Sequence, residues 1–245
     1  PFFDRLSDHI NRIAEYFDGT HIDAEILVVD PAGGLPSRHG LNVYGDVFEN
    51  LLWTLMRQHL DFHVVDHDIL AEGVLIPGGV RVAEIEAEVV IVPPMQVIEP
   101  ELRVWLDHFV AAGGTAVTME LDTDLDDVLD AVRSRVRPSL SITVEGLPAE
   151  DIISRQAEDI VTVKRVGGDR TVWFALNLGR NPVTVTLESG GGLRELSLDD
   201  EQPIRLRLDG GRYVRDVAPF ESFMLLADED AALVPAPPLL TVPVA

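Results

Sequence analysis

The chain contains no cysteine. That excludes disulfides, thiolate nucleophiles and cysteine-ligated zinc or iron–sulfur centres, and it leaves the compartment open. Positive charge is scarce. Lys and Arg total 19 against 42 Asp and Glu, for a formal net charge of −23, and Lys164 is the single lysine. Nucleic acid and anionic membranes recruit cationic surfaces, so neither is an expected partner. The excess acid reads as a solubility surface or as an adaptation to high salt. No run approaches the roughly 18 apolar residues of a membrane span. No charged-then-apolar leader opens the chain, so the expected location is cytoplasmic; residue 1 is Pro. The phosphate-binding glycine patterns G-x-G-x-x-G and G-x-x-x-x-G-K-[ST] do not occur where they would be needed. The serine-nucleophile pattern G-x-S-x-G and the zinc pattern H-E-x-x-H are missing too. No cofactor is expected.

What is present is an ordinary globular balance. The chain has 245 residues, 46% hydrophobic and 25% charged, enough for one large domain or two ordinary ones. Phe2 to Phe17 carries apolar residues at helical spacing and is closed by Gly19. A strand over Ala24–Val29 ends at Asp30-Pro31, before a turn-rich loop over Ala32–Gly40. A helix from about Asp46 to His59 presents Phe48, Leu51, Leu52, Leu55 and Met56 on one face. Phe62–Val65 reads as a strand, and Val74–Val82 as a hairpin around Gly78-Gly79. Val89–Val92 is a continuous apolar run, as in a strand covered on both faces. Pro93-Pro94-Met95 stops it. A helix with Pro100 in its first turn follows, buried along Leu102, Trp105, Leu106, Phe109 and Val110 and ended by Gly113-Gly114. Thr115–Thr118 is the next strand, and Leu125, Val128, Leu129 and Val132 line a last helix. Strands alternating with helices predict a doubly wound, mostly parallel sheet.

From about Pro138 the pattern changes. Short strands follow one another without helices: Leu140–Val144, Asp159–Arg165, Thr171–Asn177, Val183–Leu187, Leu193–Leu198, Ile204–Leu208, Tyr213–Val217 and Ser222–Leu226. Glycine- and proline-rich turns separate them, which predicts a small antiparallel β-sandwich. Ile204–Leu208 alternates strictly and predicts one buried and one wet face. The fold class expected is therefore α/β plus all-β. Residues 1–20 form a connecting helix, 21–137 the α/β domain, 138–228 the sandwich and 229–245 a proline-rich linker.

Several stretches could carry chemistry. His59 to Asp68 packs three His and three Asp into ten residues, the ligand types of zinc, manganese or iron. Strand alternation sends Asp61 and His63 one way, and His67 and Asp68 fall in the following turn, so no metal site is expected. Open α/β sheets bind ligands beyond the carboxyl ends of their strands. Those ends are Asp30, Asp66, Pro94 with Met95, and Glu120, which are the candidate ligand-binding residues. Glu120 and Asp122 are adjacent acids of the kind glycoside hydrolysis uses, but such a pair is expected by chance among 42 acids. No catalytic residue is assigned. Trp173, Phe174, Tyr213 and Phe220 are the aromatics that could stack on sugar if exposed. Alternation makes one of Trp173 and Phe174 core and the other outward.

Five stretches carry a family resemblance: Ala24–Pro31, His59–Leu70, the block Val89–Val117, Thr171–Leu178 and Pro219–Leu226. Over most of residues 5–228 the chain resembles an internal segment of large bacterial glycoside hydrolases of the α-L-rhamnosidase type, glycoside hydrolase family 106 and its relatives. The resemblance implies a flavodoxin-like or class I amidotransferase-like α/β domain, placed after a catalytic barrel and followed by β-sandwiches, some of them sugar-binding. The amidotransferase likeness is one of topology, since no cysteine nucleophile exists here. The family's aromatic after its first strand is replaced by Gly33-Gly34-Leu35. The expected role is a non-catalytic accessory segment that braces the barrel or aids assembly. Its expected partners are the upstream barrel and a downstream sugar-binding domain of the same polypeptide, with carbohydrate and a homo-oligomer as further possibilities. The other reading is a freestanding sugar- or small-molecule-binding protein that uses the crevice at the strand ends. A third is an acid/base hydrolase acting through Glu120 and Asp66.

Overall fold

The computed structural model describes residues 2–31, 41–145, 159–198 and 204–228. Contacts divide the chain into two units. One comprises Ile22–Pro138 with Thr162–Lys164; the other comprises Pro1–His21, Ser139–Val161 and Arg165–Ala245. The opening helix α1 (Phe2–Phe17) belongs with the second unit and is followed by a two-residue strand, β1 (His21–Ile22). Gly19 ends α1 with φ +67°, a conformation that side-chain-bearing residues rarely adopt.

The first unit is a three-layer α/β arrangement. Its strands are β2 (Ile26–Val29), β3 (Phe62–Val65), β7 (Val89–Val92) and β8 (Thr115–Thr118), all parallel, in the spatial order β3-β2-β7-β8. Between them come α2 (Leu41–Arg57), α3 (His67–Ala71), α4 (Pro100–Ala111) and, after β8, α5 (Leu125–Arg133). All four residues of β2 and of β7 are buried, because each central strand has apolar layers on both sides. Strand alternation splits them between two cores. Ile26, Val28, Val89 and Ile91 pack with Leu51 and Leu55 of α2 and Val128, Leu129 and Val132 of α5. Leu27, Val29, Val90 and Val92 pack with Leu70 of α3 and Leu102, Leu106 and Phe109 of α4. Burying each such aliphatic side chain stabilises the unit by roughly 1.5–3 kcal/mol before chain entropy is counted.

A small antiparallel sheet, β4 (Val74–Ile76), β5 (Gly79–Val82) and β6 (Ile85–Ala87), extends the expected hairpin by one strand. Gly79 is required there: a Cβ would sit 2.4 Å from the Ala87 carbonyl oxygen. Two further elements differ from the sequence reading. Helix α2 starts at Leu41, earlier than the expected start at about Asp46, and runs through Gly45, a poor helix former. The residues after β3 form α3 rather than a turn, with Asp66 as N-cap accepting the Asp68 N–H at 2.9 Å.

The second unit is a two-sheet sandwich. Its strands are β9 (Leu140–Glu145), β10 (Ile160–Gly167), β11 (Arg170–Asn177), β12 (Val183–Ser189), β13 (Leu193–Leu196), β14 (Arg207–Asp209), β15 (Arg212–Val217) and β16 (Ser222–Ala227). One sheet has the order β1-β10-β11-β16-β13 and the other β14-β15-β12-β9. The dividing line runs through β10, whose residues Thr162–Lys164 count with the α/β unit. Trp173, Ala175, Phe223 and Leu225 meet Leu140, Val185, Leu187 and Val217 in the core between the sheets. The Trp173 indole donates to Ser139 Oγ at 3.0 Å. Phe174, on the opposite face of β11, lies under α1 with Ile13, Tyr16 and Phe17, its ring 6.2 Å from that of Phe17 at 72°. It is therefore helix-covered packing rather than an outward sugar platform. Gly210 and Gly211, at φ +57° and +86°, close the β14–β15 hairpin.

The stretch Ile204–Leu208 departs from its alternation. Ile204 is exposed, and strand β14 begins only at Arg207. The Arg205 and Leu206 N–H groups donate instead to Glu195 Oε2, at 2.9 and 2.6 Å. Glu195 belongs to a buried ionic network. Arg215, 2% exposed, donates from Nε and Nη2 to Glu195 Oε1 at 3.0 and 2.8 Å, and from Nη2 to Glu221 Oε1 at 3.1 Å. Its Nη1 reaches the Asp216 carbonyl, and its guanidinium lies 4.3 Å from the centre of the Phe223 ring. Glu221 Oε2 accepts from the Ala218 N–H and from Arg205 Nη1. Among the described residues no buried side-chain polar atom lacks a partner.

The proline-rich linker expected over 229–245 and the loop over 32–40 lie outside the described residues. No helix among the described residues is long and apolar enough to cross a membrane.

Candidate functional site

All four parallel strands of the α/β unit point their carboxyl ends to one edge. The crossover after β2 leads to β3 on one side, and the chain then returns to β7 on the other side, so the ends of β2 and β7 flank a topological switch point. Asp30 and Pro31 leave β2 there, and Pro93, Pro94 and Met95 leave β7. Asp66 leaves β3, and Met119 and Glu120 leave β8. The sheet thus brings Asp30, Asp66, Pro94, Met95 and Glu120 to one edge, spread along it strand by strand.

The exits are specific in what they offer. Pro31, Pro93 and Pro94 are buried and have no N–H. The Asp30 N–H is used by the Val65 carbonyl at 2.8 Å, and the Met119 N–H by the Val92 carbonyl at 2.9 Å. The Glu120 N–H goes to Thr123 Oγ1 at 2.7 Å. A phosphate site at such an edge needs free backbone N–H groups and positive potential. These exits offer carboxylates, prolines and occupied N–H groups instead. Met95 is half-buried and packs into the core beneath α4. Neutral hydroxylated ligands or cations suit this chemistry better than anions.

At the β3 end the acids gather. His67 Nδ1 lies 3.3 Å from Asp66 Oδ1, and Nε2 lies 3.4 Å from Asp68 Oδ1 and 3.1 Å from Glu99 Oε2. The ligating atoms of Asp66, His67 and Asp68 lie within 4.8 Å of one another. Glu99, at the start of α4, was not expected in this group, since 30 residues of chain lie between it and Asp68. The imidazole bridges these carboxylates, and Asp66 is already occupied as a helix cap. Asp66 and Glu120 stand on the two edge strands. Three strand spacings separate these, roughly 14 Å. Carboxylate pairs for glycoside hydrolysis work at about 5–9 Å. Glu120 and Asp122 are both exposed.

The opposite edge holds the strongest electrostatic perturbation, and the His/Asp-rich stretch contributes to it. His59 ends α2 in a left-handed conformation, φ +56°, with Nδ1 3.2 Å from Thr162 Oγ1. Burial pushes its imidazole down to about 4. Asp61 receives the Lys164 backbone N–H on both carboxylate oxygens, at 3.2 and 3.3 Å. Burial pushes its carboxyl up to about 7, although the Lys164 N–H and ammonium oppose this and Asp23 reinforces it. Lys164 Nζ binds Asp23 Oδ2 at 2.6 Å, and the Asp23 N–H donates to the Lys164 carbonyl at 3.3 Å. Glu25 is raised by burial and by Glu88 and Asp23, against Lys164. His63 Nε2 lies 3.3 Å from the Ile22 carbonyl oxygen. Alternation predicts that Asp61 and His63 share a direction, but not that the direction leads to the chain's single lysine.

No protein-family model matches the chain, and no curated protein gives a significant match. Solved structures do match in fold. A rhamnosidase from Novosphingobium sp. PP1Y aligns with 93% of this chain and 24% of its own, at 13% identity and a TM-score of 0.65. A β-galactosidase from Bacillus circulans sp. alkalophilus aligns with 91% of this chain and 44% of its own, at 12% identity and 0.54. α-L-Fucosidase isoenzyme 2 from Paenibacillus thiaminolyticus aligns with 88% and 50%, at 12% identity and 0.52. At these identities the likeness is one of fold. The chain spans between 24% and 50% of the length of these glycoside hydrolases.

Proposed function

We propose that the chain is a non-catalytic accessory segment of a carbohydrate-active enzyme, a glycoside hydrolase of the α-L-rhamnosidase or a related type. The observation that carries this reading is the asymmetry of the fold match: 93% of this chain, but 24% of the rhamnosidase. In order of first appearance the parallel strands run 2-1-3-4, the flavodoxin-like order short of its fifth strand. In this reading the α/β unit braces a catalytic barrel placed upstream in the same polypeptide, or aids its assembly. The sandwich leads on to a sugar-binding domain. The distance between Asp66 and Glu120, and the use of Asp66 as a helix cap, support the absence of a catalytic pair.

Two measurements test it. The chain alone is expected to show no turnover of aryl rhamnosides, galactosides or fucosides; turnover above the buffer rate overturns the non-catalytic role. The coding sequence upstream is expected to encode a barrel of some hundreds of residues, and its absence overturns the accessory role.

A second reading rests on the carboxylate-rich, N–H-poor edge at Asp30, Asp66, Met95 and Glu120. A freestanding protein that binds a neutral sugar there would give calorimetric heat with millimolar rhamnose or galactose, and Asp66→Asn would reduce it. No heat removes this reading.

A further inference from the structure

The acid cluster around Lys164 is short of positive charge. Asp23 acts on both Glu25 and Asp61 there, Glu88 acts on Glu25, and Lys164 is the cation that opposes the rise in both. Its ammonium is committed to Asp23, at 2.6 Å. Asp61 therefore faces the lysine's backbone rather than its charge, with both oxygens on one N–H. The next cation along β10, Arg165, turns to Thr20 Oγ1, the Thr20 carbonyl and the Phe17 ring. On Asp61's own segment His59 pairs with Thr162 and His63 lies against the Ile22 carbonyl, so neither imidazole neutralises it. A half-buried carboxylate with no side-chain cation in contact among the described residues has two ways to lower its energy. It can strengthen its hydrogen bond to the N–H, or it can take up a proton.

We propose that Asp61, with Asp23 and Lys164, forms a proton-operated clasp on the Thr162–Lys164 segment of β10: the ionised carboxylate grips the Lys164 N–H, and the neutral acid loosens it. Among the described residues, three contacts hold the segment within the α/β unit. They are the imidazole of His59 on Thr162, the Asp23 N–H on the Lys164 carbonyl with its carboxylate on Nζ, and the Asp61 carboxylate on the Lys164 N–H. The third is charge-assisted when Asp61 is ionised and ordinary when it is neutral. Burial raises the Asp61 carboxyl to about 7, which places the change of state near neutral pH rather than in the acid range of an ordinary aspartate. His59, buried and low, stays neutral through that range, so its contact with Thr162 does not titrate alongside. One contact of the three is switched while the other two keep the segment in place.

Amide hydrogen exchange at Lys164, corrected for intrinsic rates, and the side-chain carboxyl resonance of Asp61 test the proposal between pH 5 and 9. The carboxyl resonance is expected to titrate near neutrality, and Lys164 protection to fall about five- to tenfold as pH drops through the same midpoint. In Asp61→Asn the Lys164 protection is expected to be independent of pH. In Lys164→Met the Asp61 midpoint is expected to move upward, because the opposing ammonium is gone; this variant serves if Asp61→Asn does not fold. A wild-type midpoint below pH 5, or Lys164 protection that stays flat across the range, overturns the clasp. A midpoint unchanged in Lys164→Met overturns the role given to the lysine.

Discussion

The two units bury charge in opposite ways. In the sandwich, Arg215 and Arg205 meet Glu195 and Glu221, two positive groups and two negative, and among the described residues no buried side-chain polar atom lacks a partner. In the α/β unit one ammonium stands among four carboxylates, and the most perturbed of these is pushed to about 7. In the first network the charges are matched; in the second a half-buried carboxyl is raised to about 7, and it therefore changes state near neutrality. Burial is what raises the Asp61 carboxyl, and the lone ammonium, committed to Asp23, offsets only part of it.

Breaking the balanced side should produce the largest effect. Arg215→Met leaves Glu195 and Glu221 buried without their cation and is expected to cost the sandwich about 3–5 kcal/mol. The measurement is chemical denaturation followed by fluorescence of Trp173, which reports on that core. Adding Glu195→Gln and Glu221→Gln should recover much of the loss. If Arg215→Met alone costs less than about 1 kcal/mol, the network is ornamental and the contrast between the units collapses.

The unbalanced side is sharpened by pH. Burial raises the folded value of Asp61 above the unfolded one and outweighs the Lys164 hydrogen bond. The group's net contribution to global stability is therefore full below about pH 4 and is lost as pH rises towards 7, although the single contact to Lys164 is strongest in the ionised form. His59 has a folded value depressed to about 4, so folding is favoured above about pH 6.5 and that gain is lost as pH falls towards 4. The slopes oppose each other between about pH 4 and 6.5, and the wild type should be nearly flat there. Asp61→Asn should leave stability rising with pH. His59→Asn, which keeps a residue tolerant of the left-handed conformation, should leave it falling. Each single slope should amount to something on the order of 2 kcal/mol, read from urea midpoints of the α/β unit. Identical slopes in both variants would remove the assignment.

Backbone substitutions give smaller effects. Gly79→Ala should cost about 1–3 kcal/mol, because its Cβ meets the backbone of Ala87 rather than a yielding side chain. Phe220→Gly should raise sandwich stability by up to about 1 kcal/mol. Phe220 is 65% exposed at φ +58°, so little packing is lost when the strain is relieved. A fall in the denaturation midpoint would show that the ring contributes contacts worth more than its strain.

Much of this architecture is legible in the chain, for local reasons. Val89–Val92 and Thr115–Thr118 are strands where their apolar runs and stops place them. Phe2–Phe17 is a helix over the full length of its periodicity. The misses have tertiary causes. Helix α3, of five residues, is too short to display a helical period, and its cap, Asp66, reads equally well as a turn residue. Ile204–Leu206 carries a strand pattern, but the Glu195 carboxylate, nine or more residues earlier in the chain, takes two of its N–H groups. Phe174 looks outward until α1, more than 150 residues away in sequence, covers it. The candidate ligand edge was readable because parallel strands place their ends together. The Asp61 cluster was not, because its perturbation comes first from burial, and its contacts with Lys164 and Asp23 arise only in the fold.

The joint between Arg215 and Glu195 also constrains strand register. Glu195 lies on β13 in one sheet and Arg215 on β15 in the other. A one-residue slip in the β12–β15 ladder would turn every side chain of β15 to the opposite face. It would send the guanidinium away from the core and leave two carboxylates there alone. Sandwich strands pair late and across long stretches of chain, and mispaired hairpins are otherwise nearly as greasy as correct ones. The ionic joint therefore favours one register of β15 over its neighbours.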